Sequence, residues 1–432
     1  MRVNIRRTAA RTMTAGVVVV LGLGGAQAAL AGPAPAVVHV PCNAAALAGD
    51  IAGAVSGETL NLVKFCTYEL TAPLAPISVN LTIQGDEDTV ERSYRRGTPG
   101  FSVFVVTDGA NVVFNQLNIR NGNSSGTGNQ SPVDNSGYGG AIYNEDGNIT
   151  VTGGTMRGNT ANLDGGAIDN LGGMTVQGTV FQGNQADNGG AIATGFQELG
   201  SLDAFIHAAE VNRTTVTGSS FSGNSAINGG AMYIEDSTAV LHCDFTGNTA
   251  DAGGGGIDIV GGVKTIVRGH AVRPSQLDDG SPVVTGSGFY QNQAEFGGGM
   301  SVDSAAAVSG TTFRLNRATD EGGGFYNDGD ATLDGVTFAY DTARYGGGFF
   351  NEDIAALTRA TFLYNTATYG GGFYNDDEAT IDRSQIFRNT AAVDGGGIFN
   401  QGGSAITLTN TAVTENHPDN CGPIGTIAGC AG

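Results

Sequence analysis

Tryptophan is missing from the 432 residues, and lysine occurs only twice, at Lys64 and Lys264. Basic residues number 20 against 41 acidic ones, for a formal net charge of −21. The first attraction to nucleic acid or to an anionic membrane is cationic, so this balance argues against both partners. Beyond Leu23 no apolar run is long enough to cross a bilayer, and no membrane insertion is expected. Cys-x-x-Cys spacing is absent, which removes the usual metal knuckle. There is no HExxH, no GxSxG, no phosphate-binding loop and no calcium nonapeptide. The common hydrolytic and nucleotide-dependent chemistries therefore have no signature here, and no cofactor is expected.

What the chain does have begins with an export signal. Arg2, Arg6, Arg7 and Arg11 precede an apolar core from Ala15 to Leu23. Ala26-Gln27-Ala28 and Ala29-Leu30-Ala31 both suit signal peptidase, so residues 1–31 read as a signal peptide. The Arg6-Arg7 pair raises twin-arginine export, but Thr8-Ala9-Ala10 gives it little support, and general secretion is the better reading. The expected location is extracellular, with association to a cell surface left open. Five cysteines fit an oxidising compartment: Cys42 with Cys66 and Cys421 with Cys430 would staple the two ends, and Cys243 is left as a buried thiol.

Glycine is abundant, at 71 residues, and its order decides the fold. A Gly-Gly-Ala/Gly-apolar motif starts at Gly139, Gly165, Gly189, Gly229, Gly254, Gly297, Gly322, Gly346, Gly370 and Gly395. An apolar-x-x-Asn motif alternates with it, from Met156 through Phe181 and Phe221 to Val413, and only the Phe338 copy carries Asp341 in place of Asn. Most intervals between glycine pairs are 24 to 26 residues. Counting the first glycine as zero, position +3 reads Ile142, Ile168, Ile192, Met232, Ile257, Met300, Phe325, Phe349, Phe373 and Ile398. An apolar +3 beside a polar or aromatic +4 is strand alternation. The chain is thus expected to be all-β, a right-handed parallel β-helix of coils about 24 residues long. The Asn column reads as an internal ladder of amides.

The domain reading follows. Residues 32–100 form an N-terminal cap and first coils, with a capping helix over Asn43 to Val55 stopped by Gly57. Residues 101–416 are the repeats, and 417–432 a disulfide-closed tail.

Gly189-Gly190-Ala191-Ile192 and Phe221-Ser222-Gly223-Asn224 resemble the polymorphic outer-membrane protein repeat family, over roughly residues 100 to 416. The resemblance implies a β-helix of the wider pectate-lyase-like superfamily. Its members include surface adhesins, and the wider group includes polysaccharide-active enzymes. Outer-membrane members end in an autotransporter barrel. No such sequence precedes Gly432, so barrel anchoring is not expected to carry over.

Three features bear on function. Tyr326, Phe350, Tyr374 and Phe399 occupy +4 in four consecutive coils and would form an exposed aromatic column able to stack on sugars or a protein partner. Cross-strand aromatic packing is the structural alternative. Asp303, Asp328, Glu352 and Asp376 occupy +6, and such a column would be solvated turns or a weak Ca²⁺ site. The coils at Gly189 and Gly254 carry insertions on one face, holding His207, Glu210 and Arg213, and His270, Arg273, Asp278 and Asp279. The expected function is a non-catalytic adhesin-like module binding a glycan or surface protein. A polysaccharide lyase or hydrolase using the inserted loops, or a structural spacer, is the alternative. Oligomeric state is not legible.

Overall fold

The computed structural model describes residues 36–124, 137–195, 214–261 and 281–430. Each coil visits three sheets in turn. In the coil opening at Gly139, Ile142–Asn144 joins the third sheet, Asn148–Thr152 the first and Thr155–Arg157 the second. Pairing is parallel and one coil onward, with Ile142 opposite Ile168, Ile149 opposite Met174, and Met156 opposite Phe181. The ladders extend into sheets of 14, 13 and 12 strands, with short four- and two-stranded sheets at one corner. This is the right-handed parallel β-helix that the repeat predicts. The first sheet already begins at Val37–His39, so the N-terminal region is wound into the same ladder.

The interior is built from stacked identical side chains. Phe181, Phe221, Phe245, Phe289, Phe313, Phe338 and Phe362 lie face to face with centroids 4.7 to 5.0 Å apart. The coil rise sets that spacing. A second stack, Phe325, Phe349 and Phe373, meets the first edge-on at 5.8 to 5.9 Å. Every +3 side chain from Ile142 to Ile398 is buried.

Turning the corners requires left-handed backbone. The first glycine of each pair has positive φ, and at Gly165 a Cβ would lie 2.1 Å from the Ile168 carbonyl oxygen. A second left-handed position precedes the ladder Asn. Gly183, Gly223 and Gly247 fill it in earlier coils, but Gln291, Leu315, Tyr340, Tyr364, Arg388 and Glu415 fill it later at φ 55° to 60°. Each such non-glycine residue costs about 1–2 kcal/mol. The Asn that follows offsets it. In the ladder Asn184, Asn224, Asn248, Asn292 and Asn316, each Nδ2 donates to the next Oδ1 at 2.9 to 3.1 Å. The same Nδ2 also donates to a carbonyl one coil back, as Asn292 does to Phe245 at 3.0 Å. Each Oδ1 additionally accepts the preceding Asn backbone N–H.

Both end staples form, Cys42–Cys66 and Cys421–Cys430, and Cys243 is a buried free thiol whose pKa burial pushes up to about 11. The capping helix spans Ala44–Ala52, with the Asn43 side chain accepting from the Ala45 and Ala46 N–H groups and with Leu47 and Ile51 buried. Its expected extension to Val55 is corrected. The Gly57 N–H already pairs with the Asn80 carbonyl to open the strand Glu58–Asn61, so the chain must leave the helix at Gly53 and Val55 faces solvent.

Asp341 breaks the ladder's chemistry. It accepts from the Asn316 N–H, the Asn316 Nδ2 and the Ala339 N–H, but a carboxylate has no proton to pass onward. Complete burial holds its pKa well above the carboxylate range. The folded chain then binds this proton more tightly than the unfolded one, so stability falls as pH rises from about 4 through the folded pKa. Asp341→Asn is expected to raise stability by about 1–3 kcal/mol at pH 7 and by much less near pH 4. Thermal melts at both values check this, and equal melting temperatures at pH 7 would refute it.

Candidate functional site

Strand alternation sends the +4 side chains of the third sheet away from the core. In coil order they are Tyr143, Asp169, Ala193, Tyr233, Asp258, Ser301, Tyr326, Phe350, Tyr374 and Phe399. The residue before each glycine pair reaches over them from the side. Phe296 lies 5.4 Å from Tyr326, Tyr345 lies 5.6 Å from Tyr374, and Tyr369 lies 5.3 Å from Phe399, all between ring centroids.

That lateral cover corrects one expectation. Tyr326, Phe350, Tyr374 and Phe399 do form one column, with centroids 5.7, 4.8 and 5.0 Å apart, but they are not displayed. Phe350 and Tyr374 are 4% and 7% exposed, and Tyr326 and Phe399 are half-buried. Rings repeated at the coil rise bury one another, and the neighbouring Tyr and Phe close the remaining side.

The acidic column stands where the repeat places it, at the end of the same strands. Asp303, Asp328 and Glu352 are exposed and Asp376 is half-buried. The Tyr326 hydroxyl donates to Glu352. Partial burial, with the Glu352 charge nearby, raises the pKa of both Asp303 and Asp376. Among the described residues no three His, Cys, Asp or Glu side chains are grouped to hold a metal ion. His207, Glu210, Arg213, His270, Arg273, Asp278 and Asp279 lie outside the described residues, as does the signal peptide.

Two residues that the sequence reading passed over are chemically more unusual. Asp169 and Asp258 are 1% and 3% exposed, and Asp169 Oδ2 and Asp258 Oδ1 have no hydrogen-bond partner. Burial, then the Asp303 charge, pushes the Asp258 carboxyl up to about 7, against a hydrogen bond from Ser301. Ser301 Oγ also lies 3.3 Å from Asp303 Oδ1, so the two carboxyls compete for its single O–H. Asp258 packs against Gly253, where a Cβ would sit 3.0 Å from Oδ2. Burial and nearby acids also raise the phenol of Tyr143 beside Asp169 and that of Tyr233 beside Asp258. Reading the whole +4 column, rather than its aromatic stretch, exposes both acids in the sequence.

The inward +5 column changes character in the same coils. Asn144 and Asn170 pair at 2.6 Å, and Asn327, Asn351, Asn375 and Asn400 form a second amide ladder at 2.8 to 2.9 Å. Between them stand Thr194, Ile234, Ile259 and Val302, all buried. Buried Asp236 accepts from Thr194, Thr214 and Thr238 in that interval.

Residues 178–195 and 242–259 match the Chlamydia polymorphic membrane protein (Chlamydia_PMP) repeat. These two stretches of the β-helix carry that repeat, 18 residues in each case. Each match runs through an apolar-x-x-Asn corner to the end of a third-sheet strand, so the repeat contains both the ladder Asn and the +4 position. No curated protein and no solved structure matches the chain, and the pectate-lyase-like grouping rests on resemblance alone. Repeat and solenoid together fit a surface-associated β-helix protein. Among the described residues no helix is long and apolar enough to cross a membrane, which says nothing of a β-barrel.

With a folded pKa of about 7 against about 3.9 unfolded, Asp258 favours the folded state while protonated, and that advantage is lost as pH rises from about 4 through 7. Asp258→Asn should therefore raise stability by up to about 4 kcal/mol at pH 8 and by only about 1.5 kcal/mol at pH 5, read from thermal melts at both values. A difference that does not change across that range would contradict the assignment.

Proposed function

We propose that this chain is a secreted, surface-associated and non-catalytic binding module, adhesin-like in type, that takes a glycan or a protein partner along the outer face of its third sheet. The observation that carries the reading is the register. Ten consecutive +4 positions stand in one line on one face, and polar, acidic and aromatic side chains take turns along it. A solenoid that repeats a surface in this way offers an extended ligand contacts spaced one coil apart. The polymorphic membrane protein repeat adds support for a surface setting. The half-buried rings of Tyr326 and Phe399 can offer an edge to a sugar ring or an apolar side chain.

A glycan array and binding to intact cells test this, with reducing-sugar and unsaturated-uronide assays on every hit. Binding without turnover, weakened about five- to tenfold by Tyr326→Ala or Phe399→Ala, is the expected outcome. Turnover abolished by Asp258→Asn would make the chain a polysaccharide-cleaving enzyme instead. Neither binding nor turnover would leave a structural spacer.

A further inference from the structure

A buried carboxyl normally accepts hydrogen bonds at both oxygens. Asp169 Oδ2 and Asp258 Oδ1 accept none, and no Lys or Arg among the described residues pairs with either carboxyl. Core packing does not account for them. Ile168 and Asn170 flank Asp169, and Ile257 and Ile259 flank Asp258. All four flanking side chains are buried on the core side, so both carboxyls point to the outer face.

The two sites share a construction. Each Asp has a tyrosine in register one coil earlier, Tyr143 opposite Asp169 and Tyr233 opposite Asp258. The charged neighbours are acidic: Asp164 and Glu235 near Asp169, and Asp303 near Asp258, with Glu235 bonded to Tyr233. At Asp258 the adjoining corner residue is Gly253, where the flanking coils carry Asn228 and Phe296, so this corner adds no side chain of its own over the carboxyl. A carboxyl in register with a tyrosine, and without a Lys or Arg partner among the described residues, is the chemistry that receives an ammonium or guanidinium group. A hard divalent ion would need six or more oxygens, and among the described residues no acidic triad is assembled.

The sites are also spaced. Asp169, Ala193, Tyr233 and Asp258 follow one another coil by coil, a separation of about 14 Å at roughly 4.8 Å per step. Four residues of extended chain cover nearly the same length, at about 3.4 Å each. We propose that Asp169 and Asp258 are paired anchors for a ligand with two cationic groups about 14 Å apart, such as an extended peptide with basic residues four positions apart. The inference rests on the binding-module reading and names the ligand's charge and spacing. The net charge of −21 would speed the approach of such a ligand.

Calorimetric titration of the full chain with an end-blocked Lys-Gly-Gly-Gly-Lys peptide, and separately with spermine, tests it. Each titration is run in two buffers of different ionisation heat at pH 6, where Asp258 still holds its proton. Binding with proton release is expected, because the incoming cation ionises Asp258. Asp169→Asn and Asp258→Asn should each weaken it at least about tenfold, while Asp377→Asn should change it less than about twofold. Binding of the peptide alone would mark a protein segment as the ligand, and binding of both would mark the cation spacing itself. No binding of either probe, or affinity unchanged in both Asn variants despite an unaltered or higher melting temperature, would overturn the proposal. Glycan or cell binding that survives in those variants would sink this inference while leaving the binding-module reading intact.

Discussion

Everything in this molecule depends on each coil offering the next one the same hydrogen-bonding groups at the same height. Main-chain ladders meet that demand along the strands, but at a left-handed corner the backbone alone cannot. The asparagine column completes it there. One amide donates forward to the next amide and backward to a carbonyl, and its oxygen accepts both an amide and a backbone N–H. Because each bond is made to a neighbour of the same kind, a coil with different side chains can be inserted anywhere provided its Asn and glycines stay in phase. A left-handed glutamine, leucine, tyrosine, arginine and glutamate are tolerated immediately before that Asn for the same reason.

The phenylalanine stacks follow from the ladder rather than competing with it. Once the backbone rise is fixed near ring thickness plus contact distance, identical rings at one position must lie face to face. The rule holds outside as well. It turns Tyr326, Phe350, Tyr374 and Phe399 into a self-covering column instead of a displayed one. It also works against acids. A carboxyl placed in such a column is shielded by its neighbours yet keeps one oxygen without a donor, which is the situation of Asp169 and Asp258. Asp341 is the inward version of the same conflict, softened because its place in the amide ladder supplies donors.

Irregularity is concentrated rather than scattered. In the coils from Gly189 to Gly297 the inward amide column gives way to Thr194, Ile234, Ile259 and Val302, and Asp236 is held by three threonines. The unpaired Asp258, with Ser301 and Asp303 beside it, stands on the outer face of that stretch. The chain's two long insertions, in the coils at Gly189 and Gly254, follow the strands that end at Thr194 and Ile259. A repeat that keeps its corners can change its faces in one stretch without losing the fold.

The sequence by itself determined the β-helix, its coil length, the inward +3 column, the Asn ladder and both disulfides, because each is a periodic or terminal feature that one chain displays without knowing its neighbours. Tertiary structure alone decided which outward side chains remain accessible. Alternation assigns Tyr374 to the outer face, but only the arrival of Tyr345 and Phe399 from other coils buries it. The helix end at Gly53 was likewise set by a strand pairing with Asn80, more than twenty residues away. Asp258 makes the same point chemically. Its letter is visible in the repeat, whereas its missing partner and its raised pKa arise from the Gly253, Ser301 and Asp303 that the coils bring against it.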